Sequence, residues 1–421
     1  MADTSPAASG TAPLTTSDGR PLRAALAQAQ ARSRRTAFLL VAPLLVFVLL
    51  TFILPIGQLL VRSVTDTDFA RNMPALGEWF DANPAGSPID ESAYAALAAD
   101  LKAAKANKTA GQVGERINYD VSGSRSLFTS TARSADKLEP PYKEALIALK
   151  PGWENPALWQ AMRQASNTVT PNFFLAALDL QRSPDGGIER APEEKRVYIS
   201  LFVRTFALSA LITAITLILG YPIAHLLATM PLRYSNVLMI MVLLPFWTSL
   251  LVRTTSWIVL LQSQGVLNDI LVSMGVIGDD GRIRMIYNQM GTIIAMTHIL
   301  LPFMVLPLYS VMRPIPPSYV RAARSLGATS WTAFRRVYLP QTLPGIAAGG
   351  LLVFILAVGY YITPALVGGA EGQLISNLIA FHFENANWSM AAAIAAILLI
   401  AVLILYWVYD RLIGIDNLKL G

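Results

Sequence analysis

The sequence predicts an all-α polytopic membrane protein with six transmembrane helices, and three observations carry that prediction. Apolar residues make up 54% of the 421-residue chain and charged residues only 14%, a balance unlike that of a soluble domain. Six segments, 37–61, 201–230, 235–261, 290–312, 341–367 and 390–412, are apolar over lengths that match a bilayer. Arginine and lysine gather at alternate ends of these segments, so the net charge of +6 reflects topology rather than affinity for nucleic acid.

In chain order, residues 1–35 are rich in Ala, Ser, Thr and Pro and read as a disordered tail ending in Arg32, Arg34 and Arg35. Residues 36–62 read as an uncleaved first span whose amino end is cytoplasmic by the positive-inside rule. Residues 63–199 differ in character: the stretch 66–198 has 18 acids, 15 bases and a few aromatics, among them Trp79, Phe80, Trp153, Trp159, Phe173 and Phe174. Helical periodicity runs over 92–106 and again over 156–180, with an interruption expected at Pro171. This insertion falls outside the cytoplasm and is expected to form either a small domain with a modest core or a loose loop. Residues 200–413 hold five further spans, with a short cytoplasmic turn at 231–234 and outer returns at 263–289 and 368–389. Residues 414–421 form a second cytoplasmic tail.

One cytoplasmic loop, 313–340, organises the rest. From Arg313 to Gly345 there are five arginines and no acid. Pro314, Pro316 and Pro317 break the preceding helix, and Tyr319, Ala322, Ala323 and Leu326 then recur at helical spacing. Gly327 is a natural stop, since glycine enters the left-handed conformation freely. Thr329 or Ser330 can cap a second short helix with Trp331, Phe334 and Tyr338 on one face, closed by Pro340 and Pro344.

Those residues resemble the cytoplasmic loop of ABC-importer permeases, whose pattern is Glu-Ala-Ala, three residues, Gly, nine residues, Ile, any residue, Leu-Pro. Here the row is Arg321-Ala322-Ala323, three residues, Gly327, nine residues, Val337-Tyr338-Leu339-Pro340. Arg321 departs from the family glutamate, and with Ser318 it cannot close a capping box. The resemblance implies ATPase docking at Arg321, Ala322, Ala323, Gly327, Leu339 and Pro340. The rows 245–254 (PFWTSLLVRT) and 359–369 (GYYITPALVGG) resemble the spermidine/putrescine branch of these inner-membrane permeases. The same resemblance implies a second permease subunit, two cytoplasmic ATPase subunits that hold ATP and Mg, and an extracytoplasmic substrate-binding protein. No cofactor is expected in this chain, which has no Gly-x-x-x-x-Gly-Lys-Ser/Thr loop, and with no cysteine it has no thiolate site either.

Other chemistry finds little support. His225, His298 and His382 are scattered, and a ring inside a span is expected to bond a neighbouring helix. A membrane-embedded hydrolase would need an acid within the spans, which show none before Asp410. Arg204 and Arg253 fall near outer ends, Arg253 about 27 Å beyond Ser235 along a straight helix. Interfacial anchoring or a contact at the outer gate or receptor would explain Arg253, and Glu384 is the second candidate there. Pro222, Pro245, Pro302, Pro307 and Pro364 are expected to interrupt spans two to five. Phe246, Trp247, Tyr360 and Tyr361 lie beside such prolines and are the candidates to line a path for a multiply charged amine. Other cargoes are an amino-acid derivative, an opine or an organic anion. A sensor anchored in the membrane and built around 66–198 is the reading from a different class.

Overall fold

The computed structural model describes residues 22–84, 86–183 and 187–413. The first unit is a long helix: α1 (Leu22–Val48), a π turn (Leu49–Ile53) and α2 (Leu54–Arg62). Its stretch Gln30–Arg62 is long and apolar enough to cross a membrane, and its apolar side chains are exposed all round. Helix starts at Leu22, so the expected disorder of 22–35 is corrected; residues 1–21 lie outside the described residues. The run LRAALAQAQARSRR is made of strong helix formers, which explains the earlier start.

The second unit begins with a helical insertion. Its elements are α3 (Asp68–Asn72), α4 (Pro74–Ala82), α5 (Glu91–Ala106), α6 (Ala110–Asn118), α7 (Ser124–Arg133), α8 (Tyr142–Leu149), α9 (Pro156–Ser166) and α10 (Asn172–Ala177). A two-stranded antiparallel ribbon, β1 (Leu180–Arg182) and β2 (Ile188–Arg190), is the exception to the all-α class among the described residues. The core is richer than its aliphatic content suggests, because it is built around Trp153. That ring is fully buried, sits 5.0 Å edge-on from Phe128, and donates its Nε1–H to Thr131 Oγ1 at 3.0 Å. The Trp153 carbonyl in turn accepts from Trp159 Nε1 (2.7 Å) and the Tyr94 hydroxyl (3.2 Å). Large aromatic surface is thus buried with every polar tip partnered, which is the condition for Trp and Tyr in a core. At the root of the insertion, Thr65 and Val169 pair as an isolated bridge, and buried Arg116 joins Asp66 (2.6 Å) and Asp120 (2.7 Å).

The spans follow as α11 (Tyr198–Thr229), α12 (Leu232–Leu243), α13 (Leu250–Leu261), α14 (Val266–Ser273), α15 (Gln289–Met312), α16 (Pro317–Ser325), α17 (Ser330–Ala333), α18 (Leu339–Gly359), α19 (Ile362–Val367), α20 (Gly369–Gly372), α21 (Ile375–Glu384) and α22 (Trp388–Ile413). Among the described residues, five helices are long and apolar enough to cross a membrane, or six if the bent pair Leu232–Trp247 and Leu250–Ser273 is one span. Helices α11, α15 and α18 make the central core through Ile212, Ala224, Leu300, Met304, Val353 and Ala357. A Cβ on Gly349 would stand 2.9 Å from Met304 Sδ and 3.2 Å from its carbonyl oxygen, so a side chain there would require Met304 to shift.

Three expectations need correction. The third span is not a straight helix: its two halves meet at 97° after Trp247. The fifth span stops at Gly359, and α19 starts anew at Ile362. Pro340 and Pro344 do not close the second loop helix, since Ser330–Gly359 runs as one helical span through a π turn at Phe334–Tyr338. The π turn hands the chain on to α18, and Pro340 and Pro344 are carried within this continuous helix. Of the five prolines, only Pro245 and Pro364 lie at or beside a break; Pro222, Pro302 and Pro307 sit inside continuous helices. The segments 263–289 and 368–389, expected as outer returns, are partly helical, carrying α14, α20 and α21.

Candidate functional site

The loop after α15 is fixed at its roots and exposed at its tip. Pro316 precedes α16 and Pro317 opens it, so the helix starts where proline needs no N–H; Ser318 is inside it and caps nothing. At the other end the Ala328 N–H bonds Ala323 O (3.1 Å) and the Gly327 N–H bonds Arg324 O (3.0 Å). With Gly327 at φ +90°, this is a Schellman stop, as the spacing predicts. Thr329 caps the next turn, accepting from the Thr332 N–H at 3.2 Å.

Arg321, Ala322, Gly327 and Pro340 are exposed, Ala323 and Leu339 half-buried, and Leu326 is 90% exposed. The small-residue face is therefore uncovered in this chain. The roots are different. Ile315, Val320, Phe334 and Tyr338 belong to the span core, and Arg313 Nη1 donates to the carbonyls of Ala228 (2.7 Å) and Met230 (3.1 Å). Trp331, Phe334 and Tyr338 share a face, with ring centres 5.7 and 6.0 Å apart along the stack. The Tyr338 hydroxyl meets His225 Nδ1 at 3.0 Å, and Tyr221 OH meets Thr342 Oγ1 at 3.1 Å.

The two span breaks form the second feature. At each, side chains from elsewhere donate to backbone carbonyls, although Pro245 O and Tyr361 O also accept from the backbone N–H groups of Thr248 (3.3 Å) and Ala365 (3.0 Å). Arg253, on α13, donates Nη2–H to the carbonyls of Pro245 and Thr248 and its Nε–H to Thr248 Oγ1. The straight-helix reach to the outer surface therefore does not apply, because Arg253 folds back over the bend. At the other break, Ser376 Oγ donates to Tyr360 O (2.6 Å) and Asn377 Nδ2 to Tyr361 O (2.7 Å). Thr254 and Thr363 join α13 to α19 at 3.2 Å. Phe246 packs edge-on to Phe303 at 4.7 Å, Tyr360 packs on the central core, Tyr361 is exposed and Trp247 is 80% exposed.

The histidines bond neighbours, as expected for rings in a bundle. His298 Nδ1 accepts from Trp257 Nε1 at 3.3 Å, and buried His382 meets Tyr198 OH (3.2 Å) and Asn387 Nδ2 (3.3 Å). Burial pushes His382 down to about 4, so it is neutral at physiological pH. Arg204 Nη1 reaches Ala370 O at 3.1 Å. Glu384 is exposed at the end of α21 and lines a polar groove of about 720 Å³ with Asp68, Arg71 and Arg125 of the insertion. Residues to which the sequence assigns no role of their own supply the joints: Arg313 at the loop, and Thr254, Thr363, Ser376 and Asn377 at the breaks.

A helical bundle with such a loop defines a transporter permease, and the similarities agree. Residues 217–413 match the family model described as "Binding-protein-dependent transport system inner membrane component". The chain is 36% identical over 260 residues to the spermidine/putrescine transport system permease protein PotB of Haemophilus influenzae, covering 60% of this chain and 90% of that protein. It is 37% identical over 222 residues to PotB of Escherichia coli K12, covering 52% and 80%. Among solved structures, a bacterial ABC transporter involved in the import of alginate shares 17% identity, with a TM-score of 0.45 over 72% of this chain and 99% of that one. The chain belongs to the family of binding-protein-dependent ABC transporter permeases, multi-pass inner-membrane components that carry no catalytic site or cofactor of their own.

Proposed function

We propose that this chain is one of two permease subunits of an ATP-driven polyamine importer, working with two ATPase subunits and an extracytoplasmic binding protein. The observation that carries the substrate is the 36% identity to a spermidine/putrescine permease along 90% of that protein. In this reading both termini and the loop 313–340 are cytoplasmic, and the insertion 63–199 lies outside, beside the five-span core 200–413. The exposed face of Arg321, Ala322, Ala323 and Gly327 receives the ATPase, while Leu339 and Pro340 fix the loop to α18.

ATP-driven closure of the ATPases displaces the loop, and its buried roots pass that displacement to the spans. The breaks at 247–250 and 360–361 are the places where α13 and α19 can turn against the central core. An aromatic face attracts an ammonium by about 0.5–2 kcal/mol, weak enough to pass the cargo on. Phe246, Trp247, Tyr360 and Tyr361 supply such faces, with Arg253 and Glu384 towards the outer gate and receptor.

The test is uptake of labelled spermidine with receptor affinity measured in parallel. Trp247→Ala and Tyr360→Ala should lower the maximal rate and leave receptor affinity unchanged. If unlabelled spermidine and putrescine fail to compete with the natural cargo and an organic anion succeeds, the polyamine assignment is wrong.

A further inference from the structure

Helix α11 is held at both ends by side chains from distant parts of the chain. At its start, the Asp179 carboxylate accepts from the backbone N–H groups of Val197 (3.1 Å), Tyr198 (3.0 Å) and Ile199 (2.9 Å). These are the donors a helix leaves orphaned, and the negative charge sits at the positive end of the helix dipole. Asp179 is 7% exposed and has φ +56°, the left-handed region that Asp, with its short polar side chain, enters more readily than most residues other than glycine. Its own backbone is pinned in the insertion: its N–H bonds Ala176 O (3.0 Å) and its carbonyl accepts from Ala191 N–H (2.9 Å).

The far end of α11 is gripped by the loop at both of the loop's roots. Arg313, where the loop opens, donates to Ala228 O and Met230 O, and Tyr338, where it closes, meets His225. Tyr338 is stacked on Phe334 and through it on Trp331, which is 68% exposed. Between these two grips run 32 residues of unbroken helix, about 48 Å long.

No other span shows this pair of attachments among the described residues. The start of α15 is tied instead to α19 and α20, through Tyr287 N–H to Val367 O (2.8 Å) and Thr292 Oγ1 to Gly372 O (3.0 Å). Helix α22 bonds the root of the insertion through Ser389 Oγ to Thr65 O (2.8 Å), but its Tyr409 donates to Ala347 of α18 rather than to the loop.

We propose that α11 is the rod that couples the insertion to the ATPase-docking loop, with Asp179 and the Tyr338–His225 pair as positioning residues at its two ends. The inference rests on the importer reading above. It gives the insertion a role in signalling, because a receptor docked near it shifts α11 and the loop reports that shift to the ATPase. By reciprocity, the state of the ATPase alters the surface of the insertion.

The experiment uses the full transporter in proteoliposomes, with ATP hydrolysis and uptake measured together. Asp179→Asn removes the charge and keeps the shape, and Tyr338→Phe removes one hydroxyl. Each should lower uptake per ATP hydrolysed about fivefold or more, the low end of energetic coupling between sites. The double variant should be no worse than the worse single one, because both cut the same rod; independent, multiplying losses overturn the proposal. Asp100→Asn is the control, since Asp100 caps α4 within the insertion and touches nothing on α11. Equal uncoupling by that variant also overturns it.

Hydrogen exchange on the detergent-purified chain decides the rod without the transport assay. Asp179→Asn should speed exchange at amides 223–229, with the insertion core unchanged. Acceleration confined to 197–201 refutes the rod. A wild-type assembly that hydrolyses no ATP would instead refute the importer reading and leave the exchange result standing.

Discussion

Replacing Gly327 by valine isolates the loop geometry from everything else in the chain. A Cβ at this position meets nothing within 4 Å, so the substitution causes no clash. Its whole effect comes from φ +90°, which glycine adopts without strain. A left-handed residue with a Cβ is disfavoured by about 1–2 kcal/mol, and valine's branching places it at the upper end. A shift of that size lowers the population of the native stop about 5- to 30-fold. The two bonds that define the stop, Ala328 N–H to Ala323 O and Gly327 N–H to Arg324 O, are lost with it. In helix α16 only the half-buried Val320 packs on the span core and no residue is fully buried, so the helix is weakly held otherwise and leaves its docking position. The assay is uptake against ATP hydrolysis in membranes with matched expression. Gly327→Val should be inserted normally and uncoupled, and Gly327→Asn should be much milder, since asparagine tolerates the left-handed region best among residues with side chains. Wild-type uptake in the valine variant, or equal losses for valine and asparagine, would refute the backbone argument.

Two further outcomes concern the insertion. Trp153→Ala should destabilise it by about 3–5 kcal/mol and open the segment 66–166 to limited proteolysis, while the spans stay resistant; uniform resistance would show that the core does not depend on that ring. Burial raises Asp100 to about 6, so the insertion is most stable while this carboxyl is protonated in both states. That contribution is full below about pH 4 and is lost as pH rises through 6. Thermal unfolding followed by tryptophan fluorescence should show this dependence, and Asp100→Asn should flatten it.

Much of this architecture is legible in the sequence because lipid and glycine leave so few alternatives. A bilayer forces apolar runs of fixed length, and their number survives in the structure as five long helices plus one bent pair. Gly327 is similarly legible, since its place at the end of a periodic run admits one backbone conformation. The insertion is harder to read for a different reason. Its core depends on a few large rings with partnered polar tips, and a count of aliphatic residues passes over Trp153 and its bonds to Thr131, Tyr94 and Trp159. The grip on α11 is not visible in the sequence at all, because Asp179 and Val197, or Arg313 and Ala228, are brought together only by the tertiary fold.

The span breaks show most clearly where sequence reasoning stops. Proline removes one backbone donor and frees one carbonyl, yet α15 carries Pro302 and Pro307 without interruption. A full break strands several polar groups among apolar surroundings and persists only where donors from elsewhere reach them. Arg253 supplies a donor to Thr248 O at the bend and Ser376 supplies one to Tyr360 O, while Pro245 O and Tyr361 O share theirs with the backbone N–H groups of Thr248 and Ala365. The position of a break is thus decided by the donor as much as by the proline. Arg253 follows Pro245 by eight residues across the bend and Ser376 follows Tyr360 by sixteen, so both contacts depend on how the chain turns between the partners rather than on one helix face. Arg253 is thus oriented by carbonyl oxygens at the bend, which fixes where its guanidinium sits while leaving its charge in place.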